Sequence, residues 1–124
     1  MTKIFIVDRD SDTVSFLQDS LALLGFKTMA CAEPTAVTAE VALFEPNWVI
    51  VDVMSFGERA LSMPDEMRAA VADICLIALG GRYMLPSRRD VLAAGYNFHL
   101  EKPASLCDII RAVSAGCNSE NAGS

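Results

Sequence analysis

The sequence predicts a doubly wound α/β fold, a five-stranded parallel sheet with helices on both faces. Short apolar runs recur five times along the chain, three of them almost wholly apolar. A helical pattern with its own start and stop signals follows each run, so β and α units alternate in series. At 124 residues, with 52% hydrophobic and 21% charged side chains, the chain fits one domain with enough length to bury a core.

"KIFIVD" reads as the first strand, because a short branched apolar run suits a strand covered on both faces. Asp10, Ser11 or Asp12 can cap the helix "DTVSFLQDSLALLG", whose Val14, Leu17, Leu21 and Leu24 form one stripe and which Gly25 ends. "FKTMACA" is a weaker second strand. Pro34 suits the first turn of the helix "PTAVTAEVALFE", and Pro46 closes it. "WVIVDV" is the clearest central strand, with Trp48 expected to pack. A helix is expected within 57–73, with Pro64 near its start or at a kink. "ICLIALGG" is the fourth strand, and Gly80-Gly81 reads as a flexible turn into Tyr83, Met84 and Leu85, expected as an exposed apolar partner surface. The short helix "PSRRDVLAAG" stops at Gly95, "YNFHLEKP" is the fifth strand and "SLCDIIRAVSAG" the last helix. These elements place the domain at 1–116, with 117–124 as a polar tail or linker that frays.

A net charge of −6 argues against a nucleic-acid surface, which needs clustered basic side chains. Cys31, Cys75, Cys107 and Cys117 form no CxxC pair and there is one histidine, so zinc ligation is not expected. Buried thiols in a reducing cytosol are the expectation for them. No signal peptide is read at the start, and no apolar run approaches the roughly 20 residues that span a membrane. A soluble cytoplasmic domain is expected.

In a parallel sheet of this kind, ligands meet the carboxyl ends of the strands. Those ends carry Asp8 to Asp10, Asp52, Leu79 to Gly81 and Glu101 to Pro103. With the acid after "IFIV", the lone acid in "VIVDV", "KP" after the fifth strand and Gly95 seven residues before Lys102, the chain from Lys3 to about Val113 resembles the receiver domains of two-component response regulators. The resemblance implies a flavodoxin-like sheet of order 2-1-3-4-5 with five helices. It implies that Asp52 receives a phosphoryl group from a histidine kinase or phosphotransfer protein, that Lys102 pairs with that phosphate, and that Mg²⁺ is held by Asp8, Asp52 and the Met54 carbonyl. It also implies a downstream output domain or partner protein, and homodimerisation through the fourth helix, fifth strand and fifth helix. An acyl phosphate forms when two anions approach, which is why a cation and a lysine belong in such a site.

Four positions depart from the family pattern. Arg9 stands where the second metal-binding acid belongs, Gly80 where a hydroxyl meets the phosphoryl group, and His99 where an aromatic residue switches; the loop after Asp52, "VMSFGERA", lacks the usual proline. Asp8 and Asp52 against Arg9 and Lys102 sum to zero, so Mg²⁺ is expected to bind weakly or be absent. An Arg9–Asp52 pair at about 4 Å would gain about 4 kcal/mol at an effective dielectric of about 20, before desolvation. Arg9 is thus expected either as an internal counter-ion or as a solvated side chain. His99 is expected in a half-buried structural or surface-facing place.

The function expected is therefore a phosphorelay receiver, not an enzyme, with Asp52 as acceptor and an impaired metal site. The alternative is a protein-binding module that no longer depends on phosphorylation. A more remote reading is a haloacid-dehalogenase-type phosphatase, suggested by "DRDSDT"; there the threonine should stand four residues after the first acid, whereas Thr13 stands five after Asp8.

Overall fold

The computed structural model describes residues 1–117. Five parallel strands, β1 (Lys3–Val7), β2 (Lys27–Cys31), β3 (Trp48–Asp52), β4 (Cys75–Gly80) and β5 (Phe98–Glu101), form one sheet of order β2-β1-β3-β4-β5. The six α-helices are α1 (Ser11–Leu23), α2 (Val37–Phe44), α3 (Val53–Phe56), α4 (Met63–Ala70), α5 (Arg88–Ala94) and α6 (Leu106–Ala115). Two 3₁₀ turns, Pro34–Ala36 and Gly57–Leu61, complete the described elements. The sheet order is the one expected, while the helices number six rather than five. Between β3 and β4 the chain makes a single α turn, breaks at Gly57 (φ +56°) and restarts with Pro64 in the first turn of α4.

Successive strand residues face opposite sides, so each all-apolar strand feeds two cores. Phe5, Val7, Val49, Val51, Leu76 and Ala78 pack against α2, α4 and Tyr96. Ile4, Ile6, Trp48, Ile50, Ile77 and Leu79 pack against Leu17 and Leu21 of α1 and Ile109 of α6. This two-sided burial is what fixes the strand ends, and hence the charged residues at them. Trp48 is buried, as expected.

Local signals start and stop the helices. The Asp10 carboxylate caps α1 by accepting from the Asp12 amide at 3.1 Å and the Thr13 hydroxyl at 2.7 Å. Ser87 caps α5, and Ser105 with Asp108 forms a reciprocal capping box on α6. Gly95 ends α5 at φ +117°, where its carbonyl accepts from Arg68 Nη1 at 2.6 Å. The turn requires glycine at this φ, and a Cβ there would also lie 2.8 Å from the same nitrogen, so the arginine head would have to shift.

The cysteine expectation needs correction. Cys75, the first residue of β4, is joined by a disulfide to Cys117, 42 residues later, with Cα atoms 5.7 Å apart. Cys31 is a half-buried free thiol and Cys107 an exposed one. The pair was illegible in sequence because it depends on where α6 delivers its end against the sheet. Cys117, read as the first residue of a tail, is therefore tied to the core; the rest of that segment, 118–124, lies outside the described residues. No described helix is long and apolar enough to cross a membrane.

Candidate functional site

Asp8 follows β1 directly and Asp52 ends β3, two adjacent strands in register, so both carboxylates arrive at the same edge. Lys102 follows β5, where its amide donates to the Gly80 carbonyl at 2.8 Å. Its side chain reaches across the end of β4 to stand 3.2 Å from Asp52 Oδ2 and 3.6 Å from Asp8 Oδ2. Both acids are buried, at 2% and 5% exposure, so the ammonium between them is what makes the pair tolerable. Asp8, Asp52 and Lys102 are thus brought together.

The two carboxylates are held differently. Asp8 Oδ1 accepts from the Asp10 amide at 2.9 Å, and Asp52 Oδ2 accepts from the Ser55 hydroxyl. Asp8 Oδ2 and Asp52 Oδ1 are buried with no hydrogen-bond donor among the described residues. Burial raises the Asp8 pKa, and the neighbouring Asp52 charge raises it further, against the Asp10 amide and Lys102, which lower it.

Arg9 is not the internal counter-ion. Its guanidinium is half exposed, 3.7 Å from Glu33 and 5.0 Å above the Phe56 ring, and it forms no ion pair with Asp52. An arginine held between solvent, a ring face and a surface acid avoids the desolvation that the buried position would impose. With Arg9 outside, the residues in contact are Asp8 and Asp52 (−2) and Lys102 (+1), a sum of −1 rather than zero.

The expected Mg²⁺ donors are only partly assembled. Asp8 and Asp52 each present one carboxylate oxygen without a hydrogen-bond donor. Asp10 is committed to the α1 cap, and no group of three or more acidic, histidine or cysteine side chains able to hold a metal is found among the described residues. Met54, whose carbonyl is the third expected donor, is the second residue of the single-turn helix α3, with Asp52 at its N-cap. Two carboxylates and a competing lysine do not fit the octahedral shell of a hard dication without water or a further donor.

Gly80 and His99 prove to be a pair. His99 is 4% exposed, buried rather than half-buried or surface-facing. A Cβ on Gly80 would lie 2.9 Å from its Nε2 and 3.2 Å from Val53 Cγ2, so the imidazole occupies the space a side chain at position 80 would take. Gly80 is therefore the last residue of β4 selected by close packing, not a turn. Burial, with Arg88 nearby, lowers the His99 pKa.

Sequence reasoning missed Ser55. The signal was an acid at a strand end followed three residues later by a hydroxyl, the reverse of an ordinary cap. The run "DRDSDT" is absorbed by the Asp10 cap, which takes up Thr13. Tyr83, Met84 and Leu85 are exposed apolar residues, as expected.

No family profile matches the chain. The chain is 25% identical over 113 residues, 91% of its length, to the transcriptional regulatory protein PrrA of Mycobacterium tuberculosis and equally to that of Mycobacterium leprae; it spans about half of those relatives, 48%. Among solved structures it superposes on the N-terminal domain of the nisin resistance regulator NsrR with a TM-score of 0.81 at 22% identity, covering 94% of this chain and 98% of that one. The receiver domain of the TMAO respiratory response regulator TorR gives 0.82 at 19% identity, over 93% and 95%. The fold is that of response-regulator receiver domains.

Proposed function

We propose that the chain is a receiver module of two-component signalling in which Asp52 accepts a phosphoryl group slowly and with little help from Mg²⁺. The observation that carries this reading is the Lys102 ammonium, reaching across the end of β4 to stand 3.2 Å from Asp52 and 3.6 Å from Asp8. In the reaction, an Asp52 oxygen attacks the phosphorus of a phosphohistidine, the N–P bond breaks, and an acyl phosphate forms with the electron pair left on the imidazole. Asp52 Oδ1, the oxygen without a donor, suits the attack, while Ser55 and Lys102 hold Oδ2. The donor would be a histidine kinase or phosphotransfer protein, and the readout an output domain or partner protein. A response regulator with a phosphorylated aspartate and calcium has the same fold (TM-score 0.79), which supports the chemistry at only 15% identity.

Intact mass after incubation with a small-molecule phosphodonor, with and without Mg²⁺, tests this. One added phosphoryl group, absent in Asp52→Asn, is the expected result, with at most a weak gain from Mg²⁺. No addition with any metal supports the second reading, a phosphorylation-independent binding module. That reading is favoured by His99 filling the space at Gly80 and by the burial of Asp52.

A further inference from the structure

We propose that Cys75 and Cys117 form a reversible redox modification site, a latch that fixes the end of α6 to the base of the sheet. The two sulfurs sit at the opposite end of the strands from Asp52. Cys75 opens β4 and pairs in register with Trp48, four residues before Asp52 on β3, about 13 Å away at strand rise. Cys117 follows Gly116, the residue that ends α6 at φ +73°. The bond therefore ties the point where the chain leaves its last helix to a core strand, and it does so without touching the acidic site.

The two cysteines differ in access. Cys75 is 2% exposed within the core that packs against α1 and α6, whereas Cys117 is exposed. Of these two, only Cys117 is open to a bulky thiol reagent, so reaction at the pair begins there. The Cys117 thiolate attacks glutathione disulfide, forming a mixed disulfide and releasing one glutathione thiolate. The Cys75 thiolate then displaces the second glutathione. Two protein thiols are oxidised, one glutathione disulfide becomes two glutathiones, and the two protons leave with them. The reverse exchange also starts at the exposed sulfur, which makes the bond reducible in a way that a fully buried bridge is not. Disulfides that form in reducing compartments are commonly of this transient kind.

The consequence is local order. Oxidised, the last turn of α6 cannot fray from the sheet without carrying β4 with it. Reduced, it is held only by Ile109, Ala112 and their neighbours against the core. The latch thus sets how firmly the last turn of α6 is held, independently of any chemistry at Asp52.

The test uses the whole chain. Under glutathione disulfide, the wild type is expected to lose about 2 Da and to yield, on non-reducing tryptic digestion, a linked pair of segments 69–82 and 112–124, leaving Cys31 and Cys107 reactive. Cys117→Ser should form no such link. Trp48, the single tryptophan, reports the same event because a disulfide beside it quenches emission. Amide exchange in 106–117 should be slower in the oxidised wild type by roughly tenfold, with no redox effect in Cys117→Ser. Four free thiols under glutathione disulfide, or a link that leaves exchange unchanged, would overturn the proposal.

Discussion

The two ends of the sheet solve different problems with the same five strands. At the carboxyl end, three side chains with formal charge converge: Asp8 and Asp52 are buried and only Lys102 offsets them. At the amino end, Trp48 and Cys75 are apolar or neutral, and the closure is a covalent tie to Cys117. The first end holds electrostatic tension that a ligand or a proton can release. The second is closed by a bond that a reductant can remove, and its order depends on that bond. Conditions that disturb one end should therefore leave the other largely alone.

Breaking the covalent end should have the largest effect. A loop of 42 residues corresponds to about 4 kcal/mol in the chain-entropy account, so reduction, or Cys117→Ser, should lower Tm by roughly 15 °C. Thermal melts with and without reductant measure this, and Asp52→Asn should show the same shift.

At the charged end, Lys102→Met leaves two buried carboxylates without a counter-charge. A loss of about 3 kcal/mol at pH 7 is expected, smaller at acid pH where Asp8 takes a proton. Urea titrations at both pH values decide it; an equal loss at both would mean that Lys102 acts by packing alone.

Gly80→Thr is expected to lose about 2 kcal/mol by forcing a Cβ against His99 and Val53. In a His99→Ala background the loss should shrink. A double-mutant cycle with no coupling would break the proposed pairing of positions 80 and 99.

The pH dependence has opposite signs for two groups. His99 has a lowered folded pKa, so below 6.5 the unfolded chain binds a proton that the folded one refuses, and stability falls as pH falls. Asp8 has a raised folded pKa, so just above 3.8 the folded state binds the extra proton, and stability falls as pH rises through that window. His99→Phe should flatten the slope below pH 6.5, and Asp8→Asn should remove the counter-trend at lower pH. Smallest of all, Ser55→Ala should remove one hydrogen bond to Asp52, about 1 kcal/mol, seen as a modest shift in the urea midpoint.

What the sequence determined by itself was what is local or periodic. The apolar runs of β1, β3 and β4 marked the central strands, because burial on both faces leaves little room for polar side chains. Asp10, one of three candidate caps, and Gly95 marked helix ends through a hydrogen bond and a φ value that involve neighbours only a few residues away. The acids and lysine at the strand ends were legible for the same reason: strand and loop order places them at one edge.

Only the tertiary structure decided what depends on direction and on distant partners. Arg9 could have faced Asp52, but Glu33 and Phe56 offered an exposed place without the desolvation penalty. Gly80 looked like a turn until His99, nineteen residues later, was found against it. Cys75 and Cys117 met because α6 packs back along the sheet and ends beside the start of β4. Side-chain direction and pairing across 19 to 42 residues are set by how elements pack, and no spacing rule within a single element encodes them.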